Sequence, residues 1–391
     1  MAEPRSPRIM IVAGEASGDM HAAEFFRALQ RRLPGVTAFG MGGVRMREAG
    51  IDVRFDASNI GVIGLWEVLR HYREIRAALK FMQRLACEEK PDLLVCVDYK
   101  EFNFRLAKHA KTCGVKILFY VSPQVWAWRP GRVKKYGEIA DMMAVIFPFE
   151  VPFYQAHGIP VRYVGHPLAG KIHPALDKVA TLRALGLVPG APLVGLLPGS
   201  RHNEIRRLLP TMLQAAGLLA DCFPGIRFVL LQASSVSDAD LQGFLAGAPV
   251  NACVVKEARH EALSCCDAVV TCSGTATLEV ALLGIPMVIV YKLAALSYWL
   301  GRMLVRVPHI GLANIIAGKG IVRELIQHEA TPEAIAAEIG RLLSDADYAV
   351  TMRAELAQVR KKLGEGGGSE KLADVAAELL ERTLTSSRSL P

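Results

Sequence analysis

The stretch Val269-Val270-Thr271-Cys272-Ser273-Gly274-Thr275-Ala276-Thr277-Leu278-Glu279 decides the fold. Ala268 to Thr271 reads as a short buried strand, Ser273-Gly274-Thr275 as a tight turn, and Thr275 to Leu283 as a helix stopped by Gly284 and Pro286. Small residues at such a turn let a ligand approach the backbone, while the first N–H groups of the helix and its dipole favour an anion there. Glu279, one turn further in, is placed to accept hydrogen bonds from both hydroxyls of a ribose. The same residues also suit a plain strand-to-helix connection with a good N-cap, so the choice falls to the rest of the chain.

At 391 residues the chain suits two domains, since single cores rarely grow past roughly 250–300 residues. Lysine and arginine outnumber aspartate and glutamate by 46 to 38, a net charge of +8, which favours a partner carrying phosphate. The charges are dispersed and no nucleic-acid recognition motif appears, so nucleic acid is not expected. The eight cysteines have no C-x-x-C spacing and several sit inside strand or helix patterns, so they read as reduced core residues of a cytosolic protein, with no zinc site. Met1 to Arg8 lacks the apolar core of a signal peptide, and no stretch reaches the roughly 18 uninterrupted apolar residues of a membrane span. The expected location is cytoplasmic.

The chain opens with the strand Ile9 to Val12, the loop Ala13-Gly14-Glu15-Ala16-Ser17-Gly18-Asp19 and a helix from about Met20 to Arg32. Its glycines are four apart, unlike a dinucleotide fingerprint, and Glu15 and Asp19 would repel a pyrophosphate. A carbohydrate hydroxyl or amine is the better ligand, against the alternative that Ser17 or Asp19 caps the helix. A second glycine-rich turn, Gly40-Met41-Gly42-Gly43, follows a strand at Thr37 to Phe39. Ile60 to Arg84 interleaves Leu65, Trp66, Leu69, Ile75, Leu79 and Phe81 with basic residues, a pattern that suits either an anionic bilayer surface or a helix packed on the sheet. The strand Leu93 to Val97 ends in Asp98, where a partly desolvated carboxylate serves as a general base or else caps the helix beginning near Phe102. After the strand Lys116 to Val121 comes Ser122-Pro123-Gln124-Val125-Trp126-Ala127-Trp128-Arg129-Pro130. Two tryptophans beside basic residues read as a platform for a sugar ring or acyl chain.

Strands at Met142 to Ile146 and Val161 to Val164 finish this half, and a linker runs from about Ala169 to Lys178. The organisation then restarts with strand Leu193 to Leu197, loop Pro198-Gly199-Ser200-Arg201, a short helical turn from Glu204 and a longer helix with Pro210 at its first position. Strands at Arg227 to Leu231, Ala252 to Val255, Ala268 to Thr271 and Met287 to Tyr291 follow. Two such halves predict an α/β protein of two Rossmann-like domains facing across a cleft, residues 1–170 and 171–391, with the last helices crossing back to the first domain. Leu293 to Val307 is apolar, interrupted by Arg302 and Arg306, and with Ile60 to Arg84 it is expected to touch lipid.

In order, A-G-E-A-S-G-D from Ala13, G-M-G-G from Gly40, S-P-Q-V-W-A-W-R from Ser122, F-P-F-E from Phe147, G-H-P from Gly165, P-G-S-R from Pro198 and S-G-T-A-T-L-E from Ser273 closely resemble the lipid-A-disaccharide synthase family, glycosyltransferases of the two-Rossmann-domain B type. The resemblance implies a metal-independent, cofactor-free inverting transfer of diacylglucosamine from UDP to the 6-hydroxyl of diacylglucosamine 1-phosphate, giving a β-1,6-linked disaccharide phosphate and UDP. It also implies a peripheral enzyme, monomer or homodimer, on the inner face of an inner membrane. Lys100 and Ala313 stand where that family usually has proline, beside two candidate residues, Asp98 and Asn314.

The chemistry asks for a base on the acceptor hydroxyl and stabilisation of the departing diphosphate. Asp98 or Glu15 supplies the first. Ser200, Arg201 and the N–H groups at Ser273, Gly274 and Thr275 supply the second, with Glu279 on the ribose, and the resemblance adds Asn314 to the nucleotide-sugar site. Ser17, Asp19, Trp66, Trp126, Trp128 and Arg129 are the candidate contacts to acceptor or acyl chain. A UDP-sugar 2-epimerase on the same scaffold, or a nucleotide-sugar-binding membrane protein without turnover, are the rival readings.

Overall fold

The structure, a computed structural model, describes residues 6–57, 72–128, 130–233, 235–293 and 308–386. The chain forms two compact units, Met1–Pro167 together with Gly366–Pro391, and Leu168–Glu365.

In the first unit the strands are β1 (Arg8–Ala13), β2 (Thr37–Gly42), β3 (Asp52–Asp56), β4 (Leu93–Val97), β5 (Lys116–Tyr120), β6 (Met142–Val145) and β7 (Val161–Tyr163). They form one parallel sheet ordered β3-β2-β1-β4-β5-β6-β7. The connecting helices are α1 (Ala16–Arg32), α2 (Val44–Glu48), α3 (Tyr72–Glu89), α4 (Lys100–Thr112), α5 (Val125–Trp128), α6 (Val133–Gly137) and α7 (Glu150–Gln155). Every residue of β4 is buried, which is why Leu-Leu-Val-Cys-Val carries no alternation: helices cover both faces. The chain's last helix, Gly368–Ser386, returns to pack on α1, with Arg31–Glu370 and Arg32–Asp374 pairs along the seam.

The second unit repeats the plan. It runs α8 (Lys178–Ala184), β8 (Leu193–Leu197), α9 (His202–Cys222), β9 (Arg227–Leu231), α10 (Asp238–Leu245), β10 (Ala252–Val255), α11 (Arg259–Ser264), β11 (Ala268–Cys272), α12 (Thr275–Leu282), β12 (Met287–Tyr291), α13 (Leu312–Ala317), β13 (Arg323–Ile326), α14 (Pro332–Ser344) and α15 (Ala346–Leu363). Its parallel sheet is ordered β10-β9-β8-β11-β12-β13. In both units strand order reverses once, between β1 and β4 and between β8 and β11. At such a switch point neighbouring helices depart to opposite faces and leave a crevice at the strands' carboxyl ends.

Two expectations are corrected. Pro210 opens no second helix: α9 is continuous from His202 to Cys222 with Pro210 inside it, losing one backbone donor. Cys87 and Cys113 are not reduced core residues but a disulfide, with Cα atoms 5.4 Å apart. The fold packs the ends of α3 and α4 together, a tertiary proximity that a sequence separation of 26 does not reveal. Ile60 to Arg84 is described only from Tyr72, where α3 buries Ala78, Met82, Leu85 and Ala86 and turns Arg73, Arg76, Lys80 and Arg84 to solvent. That part is a sheet-packed helix, and residues 60–71 lie outside the described residues. Among the described residues no helix is long and apolar enough to cross a membrane.

Candidate functional site

In the second unit the register sets Thr271 beside Leu197, so the loops leaving β8 and β11 emerge side by side. The β11 loop turns at Gly274, whose φ of 152° strains any residue with a side chain, and α12 starts at Thr275 with no side chain capping it. Ser273 braces the turn by donating to the Ile310 carbonyl at 3.1 Å, and Thr277 Oγ1 donates back to Gly274 O at 2.7 Å. Gly274 and Thr275 are exposed. The result is a rigid, small-residue helix start open to an anion.

Across the switch point, Gly199 has a φ of 119° and allows Glu204 to fold back under the loop. Glu204 accepts from the backbone N of Ser200 at 3.2 Å and of Arg201 at 3.3 Å, and from the Arg201 guanidinium at 3.0 Å. Arg201 stays largely exposed. Its partner therefore orients the guanidinium while leaving most of it exposed, in the fork geometry that suits an oxyanion.

Glu279 is mostly buried one turn into α12, and His260 of α11 lies 3.6 Å from its carboxylate. His260 is a neighbour that sequence reading missed, because it comes from a separate helix 19 positions earlier. Asn314 is 1% exposed. Its Nδ2 donates to Val322 O and Glu324 Oε1, and its Oδ1 accepts from the N–H groups of Ile321 and Val322. Both amide protons and both lone pairs are thus occupied within the protein. Through these bonds Asn314 holds the turn after α13 in place.

In the first unit Ala13 lies beside Val97, which brings the β1 loop against Asp98. Asp98 and Tyr99 both adopt positive φ, 37° and 102°, so two non-glycine residues in succession occupy a region that side chains disfavour. α4 begins only at Lys100, with Tyr99 as a cap that makes no side-chain bond. Asp98 is therefore not the cap of that helix. Its carboxylate is partly desolvated, and burial holds its pKa above the ordinary range against the opposing attraction of Lys100. Tyr99 lays its ring over Gly14, where a methyl group would collide with it. Glu15 is exposed and close enough to Tyr99 to raise the phenol's pKa, after burial itself. Asp98, Tyr99, Lys100, Asn103 and Tyr136 line one small pocket. The Asn103 Oδ1 in that pocket is a buried acceptor with no hydrogen-bond partner among the described residues.

Ser17 is exposed in the first turn of α1 and does not cap it. Asp19 is 8% exposed and accepts from the N–H groups of Gly43 at 2.7 Å, Arg45 at 2.9 Å and Met46 at 3.2 Å. It caps α2 from another element, which is what Gly42 and Gly43 make room for. It binds the second glycine-rich turn.

The tryptophan loop is also anchored inward. Trp126 is half-buried, packs edge-on against Phe149 with centroids 4.8 Å apart, and donates its Nε1–H to Glu150 at 3.2 Å. Glu150, 1% exposed, additionally accepts from Ser122 Oγ and from the backbone N of Phe147. Burial pushes its pKa up to about 7 despite those three donors. Trp126 is thus held by a carboxylate rather than displayed as a free platform. Val121, just before this loop, also has positive φ, 59°, uncommon for a β-branched residue. Trp66, Arg129 and the side chain of Trp128 lie outside the described residues.

The chain matches the family model described as lipid-A-disaccharide synthetase over residues 9–378. It is 50% identical over 383 residues to the lipid-A-disaccharide synthase of Trichlorobacter lovleyi, covering 98% of this chain and 100% of that one. It is also 50% identical over 380 residues to the synthase of Geobacter metallireducens, covering 97% and 99%. Among solved structures it resembles the calicheamicin glycosyltransferase CalG4, with TM-score 0.63, 18% identity and coverage of 97% and 99%. The UDP complex of Staphylococcus aureus MnaA is similar in fold, with TM-score 0.66, 12% identity and coverage of 96% and 97%. At those identities the solved structures establish the fold alone, two parallel-sheet α/β units shared by glycosyltransferases and epimerases. The two near-full-length relatives decide between these classes: the chain belongs to the lipid-A-disaccharide synthase family of glycosyltransferases.

Proposed function

We propose that the enzyme transfers 2,3-diacylglucosamine from UDP-2,3-diacylglucosamine to the 6-hydroxyl of 2,3-diacylglucosamine 1-phosphate, with inversion at the anomeric carbon, releasing UDP. The observation that carries the reading is the desolvated Asp98 carboxylate at the first unit's switch point, held by strained backbone. As general base it takes the proton of the acceptor hydroxyl while the oxygen attacks the anomeric carbon and the bond to the diphosphate breaks. The second unit holds the leaving group: the start of α12 and the Arg201 guanidinium meet the phosphates, and Glu279 meets the ribose. This division supplies charge stabilisation from fixed protein groups, where negative charge develops.

Both substrates carry acyl chains that reside in a bilayer, so we assign the enzyme to an anionic membrane surface on the inner face of the inner membrane. Residues 60–71 and 294–307, outside the described residues, carry the expected apolar contact. Vesicle co-sedimentation tests this: anionic vesicles should capture the protein and salt should release most of it, while equal capture by neutral vesicles would overturn it.

The activity test is direct. The purified protein with UDP-diacylglucosamine should release UDP and form disaccharide only when the acylated acceptor is present. Conversion of the donor without acceptor would favour the epimerase reading, and tight UDP binding without turnover the non-catalytic one.

A further inference from the structure

We propose that Cys87, His109 and Cys113 form a redox-gated site for a thiophilic d10 cation, represented by Zn2+. Cys87 lies in the last turn of α3, His109 in the last turn of α4, and Cys113 caps α4, so His109 and Cys113 share one helix face at i, i+4. The two sulfurs and a ring nitrogen of His109 lie within 4.8 Å of one another. The cysteines are half-buried and His109 is exposed, which leaves the group accessible to solutes.

The surroundings explain why this pair needs either a bond or a cation. Both sulfurs sit at helix C-termini, where the unpaired carbonyls make the potential negative and two thiolates are disfavoured. Joining them as a disulfide removes the charge. Binding a divalent cation neutralises it as well, and His109 adds a third ligand of the kind zinc takes alongside thiolates. Bond lengths of about 2.3 Å to sulfur and 2.0–2.1 Å to nitrogen put tetrahedral ligand atoms roughly 3.4–3.8 Å apart. Opening the disulfide and moving the histidine by on the order of an ångström reaches that geometry. Three protein ligands leave the fourth position to water.

The chemistry balances without other groups of the enzyme. A dithiol reductant donates two electrons and two protons to the disulfide, giving two thiols and its own disulfide. Zinc then displaces both thiol protons and binds the neutral imidazole. The oxidised chain cannot bind, because both thiolate ligands are used up in the sulfur–sulfur bond. The two closed states replace one another as staples between α3 and α4, and α4 is the helix that begins beside Asp98.

The test uses the full chain carrying Cys222→Ser, which removes the exposed free thiol. After reduction and removal of the reductant, it should bind one equivalent of Zn2+ per chain, and Co2+ used as a probe should show a thiolate charge-transfer band. The air-oxidised chain should show neither. Cys113→Ser should abolish stoichiometric binding. His109→Ala, an exposed substitution that leaves the fold alone, should weaken it at least as much as the roughly 10–100-fold loss seen on removing an outer-shell partner. The zinc-bound and the oxidised forms should both melt above the reduced metal-free form. Reduced chain that takes up no zinc, or uptake unchanged by both His109→Ala and Cys113→Ser, overturns the proposal.

Discussion

The two switch points share a topology and differ in electrostatic character. In the second unit the loops after β8 and β11 present a guanidinium, small residues and an uncapped helix start, all suited to an anion. In the first unit the corresponding loops after β1 and β4 present carboxylates, Glu15 and Asp98, and the latter is desolvated and set on strained backbone. In the proposed reaction one scaffold carries two opposite tasks: backbone N–H groups and arginine face the negative leaving group, and a partly desolvated carboxylate, Asp98, accepts the proton.

The largest effect should come from separating those tasks at Asp98. Asp98→Asn keeps the size of the side chain and removes the base, so turnover should fall about 10²–10⁴-fold while calorimetric UDP affinity stays unchanged. Loss of UDP affinity would mean that the two tasks are not divided as described. Retained turnover in Asp98→Asn, together with loss in Glu15→Gln, would move the base to Glu15.

The reciprocal substitution probes the second unit. Glu279→Ala deletes the proposed ribose acceptor and should weaken UDP binding by roughly 1.5–3 kcal/mol, about 10–150-fold in Kd. Unchanged UDP affinity would remove Glu279 from the nucleotide site and leave it as the partner of His260.

Glu150 allows a test that is blind to substrate. Its pKa is raised by burial to about 7, so between the usual glutamate range and that value the folded state binds a proton that the unfolded state lacks. Stability from this group is fully present at low pH and is lost as pH rises toward about 7, an effect on the order of 3 kcal/mol. Glu150→Gln removes the titration, so its melting temperature should vary less than wild type's between pH 5 and pH 8. A variant with the same pH dependence as wild type would place the titrating group elsewhere.

Legibility in the sequence followed burial. The strands at Leu93, Leu193, Arg227 and Met287 match their expected bounds because interior parallel strands are apolar on both faces and read as unbroken runs, and the edge strand at Ala252 matches because Ala-Cys-Val-Val is equally unbroken. β3 and β13 went unread: Asp-Val-Arg-Phe-Asp and Arg-Glu-Leu-Ile lie at sheet edges and carry too little apolar residue to stand out. At the sites, the glycine-marked turn at Gly274 was readable, whereas the positive φ of Asp98 and Tyr99 was not, because neither residue advertises it. Asp19 looked like a ligand contact because it closes a glycine-marked loop, and Asn314 entered as a candidate through the family resemblance. Only the fold shows that Asp19 accepts from three backbone N–H groups 24 to 27 positions away, and that Asn314 is bonded to backbone 7 to 8 positions away and to the Glu324 side chain 10 away. Glu150 stood in a quoted motif, but Ser122, 28 positions off, gives it its role.

The smallest effect sharpens the comparison most, because it concerns the charge that opposes burial at Asp98. Lys100 follows Asp98 by two positions, is exposed, and pulls the pKa of Asp98 down against the upward push of burial. Lys100→Met removes that pull and leaves the desolvation, so the carboxylate should protonate at a higher pH. Since the base acts only when ionised, the acid limb of kcat/KM should move upward, lowering the rate on that limb and leaving the plateau untouched. An exposed charge is screened by water and ions, so the displacement should stay under about one pH unit and shrink as salt rises toward ~1 M. A limb that stays in place when Lys100 is replaced, but moves when Glu15 is, would assign the titrating base to the β1 loop and make the strained backbone at Asp98 a device for positioning Tyr99 over Gly14 instead.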